Sequence, residues 1–478
     1  MQPLHIIYLI AAYFGVLILI SVLTNKGGSN SDFFKAGKRS PWYLVAFGMI
    51  GASLSGVTFV SVPGWVEASK FSYFQVVLGY TVGYAVIGLV LLPLYYRLNL
   101  TSIYTYLDGR FGKNSYKTGA SFFLLSRVVG ASFRLYLVAN ILQELVFNEL
   151  EIPFWITVSI TILLIWLYTF KSGIKTIVFT DTLQTLFMLI AVGVAIYYVS
   201  TDMGLDAGSI FSFIAESDMS QIFFFDDWKS GDHFVKQFIS GAFIAIVMTG
   251  LDQDMMQKNL TCRSLKDAQK NMFWFTIVLT IVNFIFLVLG LLLTVYAQQN
   301  GIDAVRDQLF PTIAMKSELG LGIAVFFMLG LVAAAYSSAD SALTSLTTSF
   351  SIDILEIEKK YDAAKQILIR KRVHIATSFV LLGVIIVFKY IIADATVIEK
   401  LFVFAGYTYG PLLGLFAFGL FTKWNVKDKW VPLVAILAPI LGYFIDDLSA
   451  LWFNFEFKFF ILILNGALSF LGLVLIRR

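Results

Sequence analysis

Between Ala333 and Ser349 the chain sets five serines (Ser337, Ser338, Ser341, Ser345 and Ser349), three threonines (Thr344, Thr347 and Thr348) and one carboxylate, Asp340, into a stretch otherwise built of Ala, Leu and Tyr. At about 100° per residue, Ala334, Ser337, Ser338, Asp340, Ser341, Thr344, Ser345 and Thr348 share an arc of roughly 160° on a helix. Tyr336, Ala339, Leu343 and Leu346 lie outside it. Hydroxyl oxygens with a single carboxylate are hard donors of low net charge, which suits a dehydrated monovalent cation such as Na⁺. The competing reading is that the hydroxyls bond back to their own helix and pack against neighbours. Eight hydroxyls and an Asp exceed what packing needs, so an ion or substrate lining is the stronger expectation.

Three other places carry polar groups where apolar ones belong. Gly48, Gly51 and Gly56 interrupt an apolar run that also holds Ser53, Ser55, Thr58 and Ser61, with Pro63 after them. Glycines permit an unwound segment, and unwound backbone inside a membrane is tolerated where it lines a cavity, its carbonyls free to hold a cation. Close helix packing through small residues is the alternative. Asp181, with Gln184 and Thr185 three and four residues on, sits about 8 Å inside the end of its apolar run, as an ion ligand or as a cap of that end. Arg127 and Arg134 lie seven residues apart on one helix face. A guanidinium there needs a carboxylate, carbonyls or an anionic ligand; Asp252 or Asp254 would be a structural partner.

The elements that must position these groups follow from composition. Of 478 residues 58% are hydrophobic and 14% charged, with a mean hydropathy of +0.80, against about 45–50% and about 25% in soluble domains. This excludes a soluble globular protein, a disordered chain and a nucleic-acid binder. A lone Cys262 and the scattered His5, His233 and His374 argue against a disulfide framework and a Cys- or His-built metal centre. A helix of roughly 20 apolar residues crosses a bilayer. Thirteen segments qualify: 4–24, 43–66, 73–98, 117–147, 152–170, 176–200, 236–258, 270–297, 322–350, 371–393, 397–421, 429–447 and 456–476. The first has no positive leader and no small-residue cleavage site, so it stays as a span. The expectation is an all-α polytopic membrane protein forming one integral domain over residues 1–478.

Charge sets the orientation. Alternate loops, starting with 25–42, hold 25 of the 35 Lys and Arg; the other loops hold eight; Arg127 and Arg134 fall inside a span. By the positive-inside rule the N-terminus lies outside and the C-terminus inside. The Asn-x-Thr triplets at Asn99 and Asn259 fall in inside loops. The acidic, aromatic connection 201–235 is either a plain linker or a set of short interfacial helices. Gly- and polar-interrupted spans in corresponding halves suggest an inverted repeat: an extra helix 4–24, halves 43–200 and 236–421, and two closing helices within 429–476.

With these residues in view, the chain resembles the sodium:solute symporters. Ala333-Ala334-Ala335-Tyr336-Ser337-Ser338, continuing to Ser341, looks like that family's sodium-site helix. Gly410-Pro411-Leu412-Leu413-Gly414 resembles its glycine-proline turn, and Asp252-Gln253-Asp254 through Gln257-Lys258 resembles its Gln-Arg segment, with Lys for Arg. The resemblance covers nearly the whole chain and implies a leucine-transporter-like core. It implies a principal Na⁺ site at Gly51, Leu54, Ala334, Ser337 and Ser338, Gly51 standing where Ala is usual. A second Na⁺ site would use Asp181, Asp340 and Ser341, Asp340 replacing an expected Ser or Thr, which leaves one or two ions open. Substrate would lie against Ser53, Ser55, Thr58 and Tyr80, with Arg134 or Arg127 holding a carboxylate as in sialic-acid carriers.

The function this implies is Na⁺-coupled import of a small solute by alternating access, an anion such as a carboxylate because of the arginines, or otherwise a neutral sugar or polyol. A membrane enzyme is disfavoured: it would need a nucleophile–base pair or a metal cluster in the spans, and no His lies mid-span, Cys262 falls in an inside loop and no paired-His motif occurs. A transporter-like sensor would carry a signalling domain beyond Arg478. Membrane lipid and a small-molecule substrate are the expected partners, a monomer the expected working unit, and the plasma membrane, of a bacterial inner-membrane kind, the expected location.

Overall fold

In a bilayer the backbone of an apolar run must satisfy its own polar groups, which leaves helices or closed barrels. The computed structural model describes residues 3–24, 33–34, 40–169, 174–206, 208–316, 319–391 and 397–478, and it is helical throughout. Among the described residues there is no named strand, only the isolated bridges Ser40–Cys262 and Val426–Arg477. Lys26, Lys35, Lys38, Arg39 and Lys171, which entered the charge count, lie outside the described residues.

In chain order the main helices are α1 (Pro3–Thr24), α2 (Trp42–Ser53), α3 (Gly56–Ser69), α4 (Tyr73–Arg97), α5 (Lys113–Phe147), α6 (Phe154–Thr169), α7 (Ile174–Asp202), α8 (Phe234–Gly250), α9 (Gln253–Asn259), α10 (Leu265–Gln299), α11 (Leu321–Ile354), α12 (Ala363–Ile391), α13 (Val397–Phe421), α14 (Val431–Phe453) and α15 (Ile461–Leu475). Among the described residues ten are long and apolar enough to cross a membrane, and two bent pairs raise the number to twelve. The segment expected at 152–170 appears as the 16-residue α6, shorter than the usual span.

Two expected spans are broken. α2 and α3 meet at 56° across Leu54 and Ser55, and α8 and α9 meet at 69° across Leu251 and Asp252. At the second break, protein side chains take the freed backbone groups. Tyr95 donates its hydroxyl to the Gly250 carbonyl at 2.9 Å, and Tyr104 donates to that of Leu251 at 2.8 Å. Asp252 caps α9 by accepting from the Asp254 and Met255 amides. At the first break no side chain caps α3. The two broken helices open residues 43–200 and 236–421 respectively.

α11 is the central element. From Phe327 onward nearly all its side chains are buried, because α5, α6, α7 and α12 pack around it. α14, by contrast, presents Leu433, Ile436, Leu441, Leu451 and Trp452 outward, the apolar coat a lipid-facing helix needs. Residues 201–235 do form a short helix, Ser209–Glu216, with Phe211 exposed. Gln75 anchors that connection: its amide nitrogen donates to the Asp232 carbonyl at 3.0 Å and its oxygen accepts from the Phe224 amide at 3.1 Å.

The glycine-proline segment has a packing role. Gly406, Gly410 and Gly414 form one row on α13, against Ile461, Asn465 and Ser469 of α15. A Cβ on Gly410 would lie 2.4 Å from the Asn465 Cβ. Small residues at this spacing let two helix backbones approach closely where no hydrophobic driving force operates between them. Gly410→Val should therefore lower the apparent melting temperature in detergent, by overpacking worth about 1–3 kcal/mol. A melting curve unchanged by the substitution would show that α15 does not rest on this row.

Candidate functional site

The break in α2–α3 opens onto a cavity. Its wall includes Ser53, Leu54, Ser55 and Thr58 from the broken helix, Tyr73, Tyr80 and Tyr84 from α4, Arg127 and Arg134 from α5, and Thr249 and Asn283. The cavity volume between them is about 80 Å³, a narrow space in this conformation. All six residues expected around the solute, Ser53, Ser55, Thr58, Tyr80, Arg127 and Arg134, thus face one space. Sequence reasoning missed Tyr73, Tyr84, Thr249 and Asn283. The tyrosines recur along one face of α4, but nothing in their spacing tells a lining from a core. The Tyr73 and Tyr80 hydroxyls lie 3.2 Å apart.

The two arginines are not equivalent. Arg127 Nη2 is ion-paired with Asp254 Oδ2, and its Nη1 lies 3.9 Å from Asp252 Oδ2. Asp252 also accepts from the Tyr409 hydroxyl of α13. Arg127 is thereby held in a closed carboxylate network. Arg134, two turns along α5, is buried, its Nε finds no hydrogen-bond partner, and it forms no ion pair with a described residue. Its guanidinium faces the cavity.

Behind the break, α7 and α11 bring the remaining polar groups together. Ser337 donates to Asp181 Oδ1 at 2.8 Å, and Ser341 reaches Oδ2 at 3.5 Å. Asp340 points to another neighbour, accepting from the Tyr168 hydroxyl of α6 at 2.9 Å. Its second oxygen has no hydrogen-bond partner, nor has the Ser338 hydroxyl. Asp181, Asp340, Ser337, Ser338 and Ala334 are all buried.

Gly51 has a physical reason for lacking a side chain. A Cβ there would stand 2.1 Å from the Thr185 hydroxyl oxygen. That hydroxyl lies within hydrogen-bond distance of two carbonyls, Phe47 at 3.0 Å and Asp181 at 2.7 Å.

Lys258 corrects the sequence reading. Its place at the end of an apolar run put it in a loop, yet its side chain is 2% exposed and Nζ lies 2.7 Å from Asp181 Oδ2. The bend at Leu251–Asp252 turns α9 inward and carries the ammonium into the core. The polar composition of residues 252–259 was the available signal. Among the described residues no group of three His, Cys, Asp or Glu side chains converges. A cation held here would rest on hydroxyls, carbonyls and isolated carboxylates, the donor types that suit Na⁺.

Broken helices beside a buried hydroxyl face and a polar cavity define a cation-coupled carrier. A model of the sodium:solute symporter family matches residues 33–427, and the chain belongs to that family. It is a multi-pass membrane transporter rather than an enzyme, it moves a small molecule, and Na⁺ is its coupling ion. The sodium/sialic acid symporter NanT of Aliivibrio fischeri is 26% identical over 90% of this chain and 86% of its own length. SiaT of Proteus mirabilis, also a sodium/sialic acid symporter, is 25% identical over 92% and 90%. The human sodium/iodide cotransporter is 23% identical over 85% of this chain and 65% of its own. Among solved structures, the substrate-bound outward-open state of a Na⁺-coupled sialic acid symporter superposes with a TM-score of 0.82 at 21% identity, covering 98% of this chain and 97% of that one. A nucleobase-cation-symport-1 family transporter in a closed conformation gives 0.56 at 14% identity, covering 94% of each. The fold is therefore that of the leucine-transporter-like symporters.

Proposed function

We propose that this symporter imports a small hydroxylated carboxylate of the sialic-acid kind. The observation that carries this is Arg134, a buried guanidinium with no carboxylate of its own, facing a cavity lined by hydroxyls. A substrate carboxylate would be its partner through paired charge-assisted hydrogen bonds. Ser53, Ser55, Thr58, Tyr80 and Tyr84 would meet the substrate's hydroxyls. Arg127 is engaged by Asp254 and serves the frame of the site.

The principal Na⁺ site in this reading is formed by the carbonyls of Gly51, Leu54 and Ala334 with the hydroxyls of Ser337 and Ser338. The buried, unpartnered Ser338 hydroxyl supports it. The second expected site, Asp181 with Ser341 and Asp340, faces the Lys258 ammonium. Na⁺ at the first site would order the broken helix against α11 and raise substrate affinity, and the coupling is reciprocal. Each ion moving down the membrane potential adds about 2.3 kcal/mol per 100 mV. Thirteen crossings, counting each bent pair and α6 as one, fit an outside N-terminus and an inside C-terminus. The two breaks support the repeat assignment of 43–200 and 236–421, flanked by 4–24 and the two closing helices of 429–476. We place the protein in the plasma membrane, of the bacterial inner-membrane kind, as a lipid-surrounded functional monomer.

The test is uptake into proteoliposomes of sialic acid, other carboxylates, iodide, sugars and vitamins, in Na⁺ and then in K⁺. Uptake of a carboxylate in Na⁺ alone is the expected result; uptake of a neutral sugar with no carboxylate taken up would sink the anion reading. Ser338→Ala should raise the Na⁺ concentration for half-maximal uptake about tenfold, the effect of one lost hydrogen bond to a charged ligand. An unshifted Na⁺ dependence would remove Ser338 from the site.

A further inference from the structure

A cation entering the serine face of α11 must be balanced against the charges already buried there. From α7 comes Asp181, from α9 Lys258, and from α11 itself Asp340. The remaining neighbours add no charge at this level: Tyr13 of α1 is buried and neutral, Tyr168 of α6 donates to Asp340, α2 has no charged residue, and the Arg370 guanidinium of α12 lies over the Phe33 ring. His374 of α12 is held two turns further along by Thr347 and Thr169. The adjoining group on α5 and α8–α9, Arg127 and Arg134 with Asp252 and Asp254, sums to zero charge, although only Arg127 is ion-paired there. Two carboxylates and one ammonium therefore stand alone, with one negative charge in excess.

Uncompensated charge in a low-dielectric interior is expensive. One Na⁺ makes the group neutral, and a second would leave it positive. The geometry agrees with this count. Both Asp181 oxygens are already engaged, Oδ1 by Ser337 at 2.8 Å and Oδ2 by Lys258 at 2.7 Å. Of the two carboxylates, Asp340 has the free oxygen, and it lies about one helical turn from Ser337 on α11. We propose that the Lys258 ammonium stands in for a second sodium ion, so that the substrate-free protein binds one Na⁺, whose charge Asp340 balances. This rests on the sodium reading given above.

The test needs no transported substrate. Radioactive ²²Na⁺ binding to the purified protein in detergent, without solute, counts ions per chain directly. The wild type should bind one, with a Hill coefficient near one. K258Q leaves two uncompensated carboxylates and should bind two. D340N should shift the remaining site to higher Na⁺ by about tenfold or more, from the loss of one nearby charge. Two ions in the wild type, or one in folded K258Q, would overturn the proposal and leave the symporter reading standing. No binding to folded wild type would remove the sodium site itself. Where K258Q does not fold, D181N decides: it leaves Lys258 against Asp340 with no charge in excess, and it should lose Na⁺ affinity by a similar factor. D181N that binds as the wild type does overturns the idea.

Discussion

Arg134→Ala is expected to abolish uptake of the anionic solute while Na⁺ still binds. Arg134 makes no ion pair with a described residue, so its removal strands no carboxylate and should leave the fold intact. Losing one partner of a buried, hydrogen-bonded charge pair costs about 2–5 kcal/mol of binding. At 1.4 kcal/mol per tenfold, that is a loss of affinity of about thirtyfold or more. Arg134→Lys keeps the charge but forfeits the planar fork, so an intermediate loss is expected. The measurement is substrate affinity from the tryptophan fluorescence or heat of binding, beside ²²Na⁺ binding on the same sample. Substrate affinity unchanged in Arg134→Ala would show that the carboxylate is held elsewhere.

Arg127→Met should act on the other side of that division, through stability. The Arg127–Asp254 pair is buried, and Asp252 lies within reach of the same guanidinium. Breaking a buried pair from one side costs about 3–5 kcal/mol, because the surviving charge is left without a partner. Arg127→Met should therefore lower the melting temperature and yield little folded protein. Arg127→Met with Asp254→Asn removes both members of the closer pair and should recover much of that loss. A double variant no more stable than the single one would mean that Arg127 holds the fold through packing and not through charge.

The helices were legible because apolar length and the scarcity of charge speak directly to the bilayer. Each of the thirteen apolar stretches falls on a helix or a bent pair. The break at Leu54–Ser55 was one of two readings open for Gly48, Gly51 and Gly56; close packing was the other, and Gly51 does pack against Thr185 as well. The hydroxyl face of α11 was legible as a buried face, and Ser345, Thr347 and Thr348 on it bond back to carbonyls of their own helix. Pairings across the bundle were not legible. Nothing in the order of residues says that Lys258 reaches Asp181 across 77 positions, that Tyr168 serves Asp340, or that Asp254 takes Arg127 and spares Arg134. Such choices depend on the rotation and depth of helices far apart in the chain. The rule that loop lysines mark one side also misplaced Lys258, because the bend at Leu251–Asp252 carries a residue near the end of its run back into the interior.

The contact between Gly51 and Thr185 has a mechanical consequence. With no side chain on Gly51, α2 lies directly against α7, and one threonine hydroxyl bridges the carbonyls of Phe47 and Asp181. Interfaces packed this closely do not stretch by small amounts. The half-helix before the break and the helix bearing Asp181 should therefore travel as one body when the carrier turns over. The flexing would then fall on Leu54 and Ser55, the joint at which α3 departs. If the proposed sites hold, ion and solute would both bear on that joint and act as its latch.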